Sequence, residues 1–192
     1  MLSFLLCGVR RIAHWPALLV LLAMYAVFAG LLMRLLVKLP GAPVDATPPL
    51  DLAFSYSVDT VFAHGESLGA AGRELSAWVH LTLDVGYPIV YSLLFAVIMV
   101  MALRYLALSE VWQRRTKYLP LLPFLLMGFD FLENFGISYL MLAWPNLPKL
   151  MVQLTSFATS AKWSLVGLVL SLVLGLLVLA LVKRLFAKPI AG

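Results

Sequence analysis

Residues Leu119–Trp144 read LPLLPFLLMGFDFLENFGISYLMLAW, an apolar run broken near its middle by Asp130, Glu133 and Asn134. As a helix rising about 1.5 Å per residue it reaches roughly 38 Å, enough to cross a hydrocarbon core of about 30 Å with some tilt. Carboxylates at such depth are costly. They face a protein interior or an aqueous cavity, and they need a partner.

Working outward, the composition fits the same class. Of 192 residues, 63% are hydrophobic and 12% charged, with a mean hydropathy of +1.00, whereas soluble domains carry about 25% charged residues. Four segments are long enough to span: about 15–37, 84–107, 119–143 and 151–182. The expected fold is all-α, a polytopic four-transmembrane-helix bundle forming one membrane domain over 1–192, with a short helical non-cytoplasmic cap from the loop 39–83. Arg10 and Arg11 before an apolar core, with Val27-Phe-Ala29 beyond it, resemble a signal peptide, but apolar residues continue through Val37, so the first helix is read as uncleaved. The single cysteine, Cys7, cannot form an intramolecular disulfide.

Nine of the fourteen Lys and Arg fall on one side if both termini are cytoplasmic, with only Glu110 opposing them. The net charge of +5 is therefore a topology signal. No basic helix or aromatic-basic platform accompanies it, so nucleic acid is not an expected partner.

In the long loop, Pro40-Gly-Ala-Pro43 and Pro48-Pro49 disfavour a helix. The alternation of Leu50, Leu52, Phe54 and Tyr56 predicts an extended segment. Ser57 is the expected N-cap of a short helix with Asp59 in its first turn. Gly69-Ala-Ala-Gly72 should end that helix, and Arg73 should begin another that runs directly into the second span.

Polar residues then line up on three spans. His80, Asp84, Tyr87 and Tyr91 share a face by spacings of four, three and four. Pro88 frees a backbone carbonyl near Asp84. On the third span Asp130, Glu133 and Asn134 share a face. On the fourth, Thr155, Thr159 and Lys162 form a stripe, with Lys162 roughly level with Glu133. A network of Asp84, Asp130, Glu133 and Lys162 is expected in the outer half of the bundle. It has two readings. Lys162 neutralises a carboxylate and the cluster only sets helix register, or the excess of three carboxylates over one lysine marks a site that handles protons or cations.

A second stripe, Ser156, Ser160, Ser164, Gly167, Ser171 and Gly175, is a ridge of small residues suited to close helix packing, with Ala26 and Gly30 of the first span as expected partners. His64, Glu66, His80 and Asp84 raise the question of a metal, but no HExxH or CxxC pattern is present, and no metal site is assigned. Nor is there a GK[ST] loop or a GxSxG elbow, so neither a cofactor nor a catalytic residue is assigned, and whether the chain is an enzyme stays open.

Leu83-Asp84-Val-Gly-Tyr-Pro88 with Tyr91, Phe129-Asp130-Phe-Leu-Glu133-Asn134, and Thr159 with Lys162-Trp163 form a pattern LDxxYPxxY, FDxxEN and TxxKW. Together with Leu68-Gly-Ala-Ala-Gly-Arg73 it resembles small bacterial four-helix inner-membrane proteins of unassigned function, over about residues 50–165. The resemblance implies four spans and a multi-pass location in the bacterial inner membrane, and supplies no activity. The leading expectation is binding or handling of a small molecule or lipid head group in a polar pocket open to the outer leaflet. Asp84, Tyr87, Tyr91, Asp130, Glu133, Asn134, Thr159 and Lys162 would bind the ligand, with Lys162 meeting an anionic group. The alternatives are a membrane scaffold or complex subunit, including a homo-oligomer, and an ion- or proton-coupled transporter acting as an oligomer.

The basic asymmetry predicts that a cysteine placed at position 66, with Cys7 replaced, reacts with an impermeant thiol reagent in intact cells, whereas one at position 117 reacts only after the membrane is breached. The reverse labelling pattern contradicts the orientation.

Overall fold

The computed structural model describes residues 2–37 and 49–186, with side chains of the first stretch described through residue 31. The expected proline-rich break at 40–48 lies outside the described residues. Among the described residues seven α-helices follow in order: α1 (Leu2–Ile12), α2 (Trp15–Val37), α3 (Val58–Leu81), α4 (Leu83–Leu106), α5 (Glu110–Thr116), α6 (Leu122–Ala143) and α7 (Lys149–Phe186). Short 3-10 turns cover Leu50–Leu52 and Leu119–Leu121, and no strand occurs among the described residues. Three helical runs, Val58–Leu106, Glu110–Ala143 and Lys149–Phe186, are long and apolar enough to cross a membrane. The pair Leu2–Ile12 and Trp15–Leu31, bent by 97°, makes a fourth if taken as one span.

Helix α4 is the hub. It packs against α2 on one side and against α6 and α7 on the other, while α6 and α7 pack along each other. The end carrying residues 49–83 is taken as the upper end. There Leu50, Tyr56, Val61, Ala77, Ile137, Leu140 and Val152 bury one cluster. Lower down, Val9, Leu21, Val97 and Val100 join α1 and α2 to α4, and Met99, Leu126, Val169 and Val173 join α4, α6 and α7. The lower end is tied by basic side chains. Arg104 donates to Ala13 O at 3.0 Å and Arg10 O at 2.7 Å, and Lys183 donates to Tyr105 O and Leu106 O at 2.9 and 2.7 Å. Lys183 thereby satisfies carbonyls that the end of α4 leaves without helical partners.

Three expectations for the cap hold. Ser57 caps α3, its Oγ accepting from Thr60 N at 3.2 Å in a capping box closed by Thr60. The chain also breaks at Gly69, whose φ of 65° and ψ of 177° suit glycine. The break folds α3 so that Arg73 donates to Gly65 O at 2.8 Å and lies 3.9 Å from the centroid of the Trp144 ring. The helix after Arg73 does lead into the second span, since Val58–Leu106 is one helical run, interrupted only locally at Thr82, with φ −122° and ψ −76°, between Leu81 and Leu83.

Two expectations do not hold. Residues 50–52 form a 3-10 turn instead of the start of an extended segment, because Lys162 and Trp163 both donate to Asp51 O and fix the chain there. Among the described residues the small-residue ridge of α7 does not meet Ala26 and Gly30 of α2. Ala26 and Gly30 are exposed, as are Ser164, Gly167, Ser171 and Gly175. Only its upper part is covered, by the segment after the 3-10 turn: Tyr56 N donates to Ser156 Oγ at 2.9 Å and Ser160 Oγ to Phe54 O at 2.7 Å. Backbone groups of the non-helical residues 53–57 reach these hydroxyls, and apolar α2 offers nothing comparable.

Close helix approach occurs between α6 and α7 at Gly136, where an added Cβ would overlap the Thr155 side chain, 2.9 Å from its Cβ. Gly136→Val should therefore lower stability by about 1–3 kcal/mol, seen as a reduced melting temperature in detergent. An unchanged melting temperature contradicts the contact.

Candidate functional site

The site begins with a defect in α4. Pro88 has no N–H, so Asp84 O loses the donor that would close the helical hydrogen bond four residues on. Asn134 of α6 replaces it, Nδ2 donating to Asp84 O at 3.0 Å. The same amide nitrogen lies 3.2 Å from Asp130 Oδ1, and Tyr91 donates to Asp130 Oδ2 at 2.7 Å. Asp130 is thus buried with both oxygens hydrogen-bonded.

One turn along α6, Glu133 is fully buried and forms an ion pair with Lys162 of α7. Lys162 also donates to Asp51 O at 3.2 Å, joined there by Trp163 Nε1 at 2.9 Å. Behind the pair, Thr159 Oγ1 donates to Thr155 O at 3.1 Å and receives the Tyr56 hydroxyl at 3.1 Å. Burial pushes the Tyr56 hydroxyl above the usual phenol range, which keeps it a donor. Glu133 Oε1 and Asn134 Oδ1 are buried without a hydrogen-bond partner among the described residues.

A cavity of about 330 Å³ lies against α4 between α2 and α7, near the lower end of the size range of small-molecule pockets. Its upper end is polar: Asp51, His80, Asp84, Asp130 and Lys162 reach it. Its lower walls are apolar, with Tyr25 of α2, Phe95 of α4, Leu126 of α6 and Val166 and Leu170 of α7. Five of the eight expected ligand-binding residues line it: Asp84, Tyr87, Tyr91, Asp130 and Lys162. Tyr87 serves as an aromatic wall, stacked 5.6 Å from Tyr25 and edge-on 5.3 Å from Tyr91. Glu133, Asn134 and Thr159 do not line it and instead hold helices together behind it.

The expected four-residue charge network is divided. Asp84 contributes its carbonyl to the Asn134 contact, while its carboxylate stands near Asp51 and His80. Asp51 and Trp163 were not among the expected ligand-binding residues. Asp51 is held through its carbonyl, which no side-chain pattern encodes, whereas His80 was legible on the Asp84–Tyr91 face. No protein-family model, curated protein or solved structure matches this chain.

The ion pair makes a clear prediction. Lys162→Met leaves a buried unpaired carboxylate and should cost about 3–5 kcal/mol, and adding Glu133→Gln should recover most of that loss, leaving the Asp51 contact unrestored. Melting curves of the four variants in detergent check it. Additive effects of the two changes contradict the pair.

Proposed function

We propose that this chain is a multi-pass membrane protein that binds an amphiphile, a lipid or lipid-like small molecule, in the cavity between α2 and α7. The observation that carries this reading is the segregated lining: charged and polar groups at one end, aromatic and aliphatic side chains along the rest. From Asp84 to Phe95 is eleven residues of α4, about 16 Å, room for a head group and the first stretch of a chain. Lys162 is already committed to Glu133 and Asp51 O, so the head group meets mainly the carboxylates of Asp84 and Asp130, the hydroxyl of Tyr91 and what remains of Lys162.

Four spans formed by α2, α4, α6 and α7 with both termini cytoplasmic put the polar end of the cavity at the outer leaflet. Support comes from the basic residues at the opposite end, where Arg104 and Lys183 bond backbone carbonyls and Arg10, Arg114, Arg115 and Arg184 are found. The sequence resemblance favours a bacterial inner membrane. A second reading, a scaffold or subunit that associates through α7, is favoured by the exposed lower ridge of Gly167, Ser171 and Gly175.

Filling the cavity tests the first reading. Val166→Trp should leave the melting temperature near that of the parent but weaken retention of co-purified lipid by about tenfold or more, measured by mass spectrometry of the purified protein. Equal lipid content in parent and variant contradicts the reading.

A further inference from the structure

We propose that Asp51, His80 and Asp84 form a binding site for one divalent transition-metal ion at the polar mouth of the cavity. One ligating atom from each of the three lies within 4.8 Å of the others. Two donors bound to a common ion at about 2.0–2.4 Å can stand no more than about 4–5 Å apart, so this spacing admits an ion with little side-chain movement.

His80 is prepared for ligation. It is only 7% exposed, and its Nδ1 lies 2.7 Å from Ser76 O. A carbonyl can only accept, so Nδ1 carries a proton, and in the neutral ring Nε2 presents its lone pair, the arrangement that orients histidine ligands in metal centres. His80 Nε2 has no hydrogen-bond partner among the described residues. The charges point the same way. Among the described residues neither Asp51 nor Asp84 forms a close ion pair: Lys162 acts on both carboxylates from a distance but is paired with Glu133, and the other ion pair is Glu110–Arg114. Two carboxylates and a lone pair facing one another call for positive charge, and Asp130 on the same cavity adds to the excess.

The backbone builds the arrangement. The break at Thr82 separates the last turn of α3, carrying His80, from the first turn of α4, carrying Asp84. Lys162 and Trp163 pin the 3-10 turn through Asp51 O. One imidazole with two carboxylates suits ions such as Zn²⁺, Mn²⁺ or Co²⁺ over Ca²⁺ and Mg²⁺, which prefer oxygen alone. Three protein ligands leave a position for water or a ligand group from the cavity.

Titration of the full-length protein in detergent with Co²⁺, followed by its visible absorption, should show one ion per chain, displaced by Zn²⁺. Asp51→Asn and His80→Gln should each weaken binding at least tenfold. Asp51→Asn keeps the carbonyl that holds the turn, so an unchanged melting temperature separates loss of a ligand from loss of fold. The cavity-filling Val166→Trp variant should keep the ion, so failure of the amphiphile reading leaves this result unaffected. No stoichiometric binding, or equal affinity in the parent and both ligand variants, overturns the site.

Discussion

The buried ion pair between Glu133 and Lys162 is the constraint on which the upper half of this molecule depends. Neither charge is tolerable alone in an apolar bundle, so α6 and α7 are held in the register that lets them meet. Gly136, three residues beyond Glu133, then lies against Thr155, and the two helices can approach closely because no Cβ intervenes. Lys162 has donors left after meeting Glu133, and with Trp163 it captures Asp51 O. A segment with little regular structure is thereby fastened to the bundle by its backbone, and its side chains form the roof of the cavity.

The second organising element is the missing hydrogen bond at Pro88. Inside an apolar bundle, a freed carbonyl must find a partner. Asn134 supplies it, and the same amide steadies Asp130. The acidic groups therefore have different duties. Glu133 balances Lys162, Asp130 is held by Tyr91 and Asn134, and Asp84 keeps its carboxylate for the cavity mouth. A sum of charges per helix treats these three groups alike, whereas backbone geometry separates them.

Much of this was legible in the sequence, because helical periodicity puts residues three and four apart on one face. The Asp130, Glu133 and Asn134 face, the Lys162 stripe and the consequence of Pro88 follow from spacing alone. So does the Ser57 cap, and Gly69 marked the break in α3. Other features depend on partners distant in sequence. The 3-10 turn at residues 50–52 forms because donors more than a hundred residues away take its carbonyl, and local alternation suggested an extended segment instead. The break at Thr82 has no glycine or proline to announce it. The α7 ridge looked like a helix-packing surface because composition cannot tell which neighbour arrives. Its upper serines hydrogen-bond to the Tyr56 segment, and its lower glycines remain exposed. Helix α1, outside every expected span, is amphipathic, burying Leu6 and Val9 and exposing Leu2 and Phe4.

The ion pair, the pinned turn and the proline defect together leave a cavity that is charged at one end and apolar along the rest, a shape suited to an amphiphile. A cryo-electron-microscopy map of the protein reconstituted in native-lipid nanodiscs tests this most directly. The account predicts elongated density between α2 and α7, its polar end beside Asp84 and Asp130 and its tail along Phe95 and Leu170. A bundle in which α2 closes on α7 and side chains fill that space would contradict it.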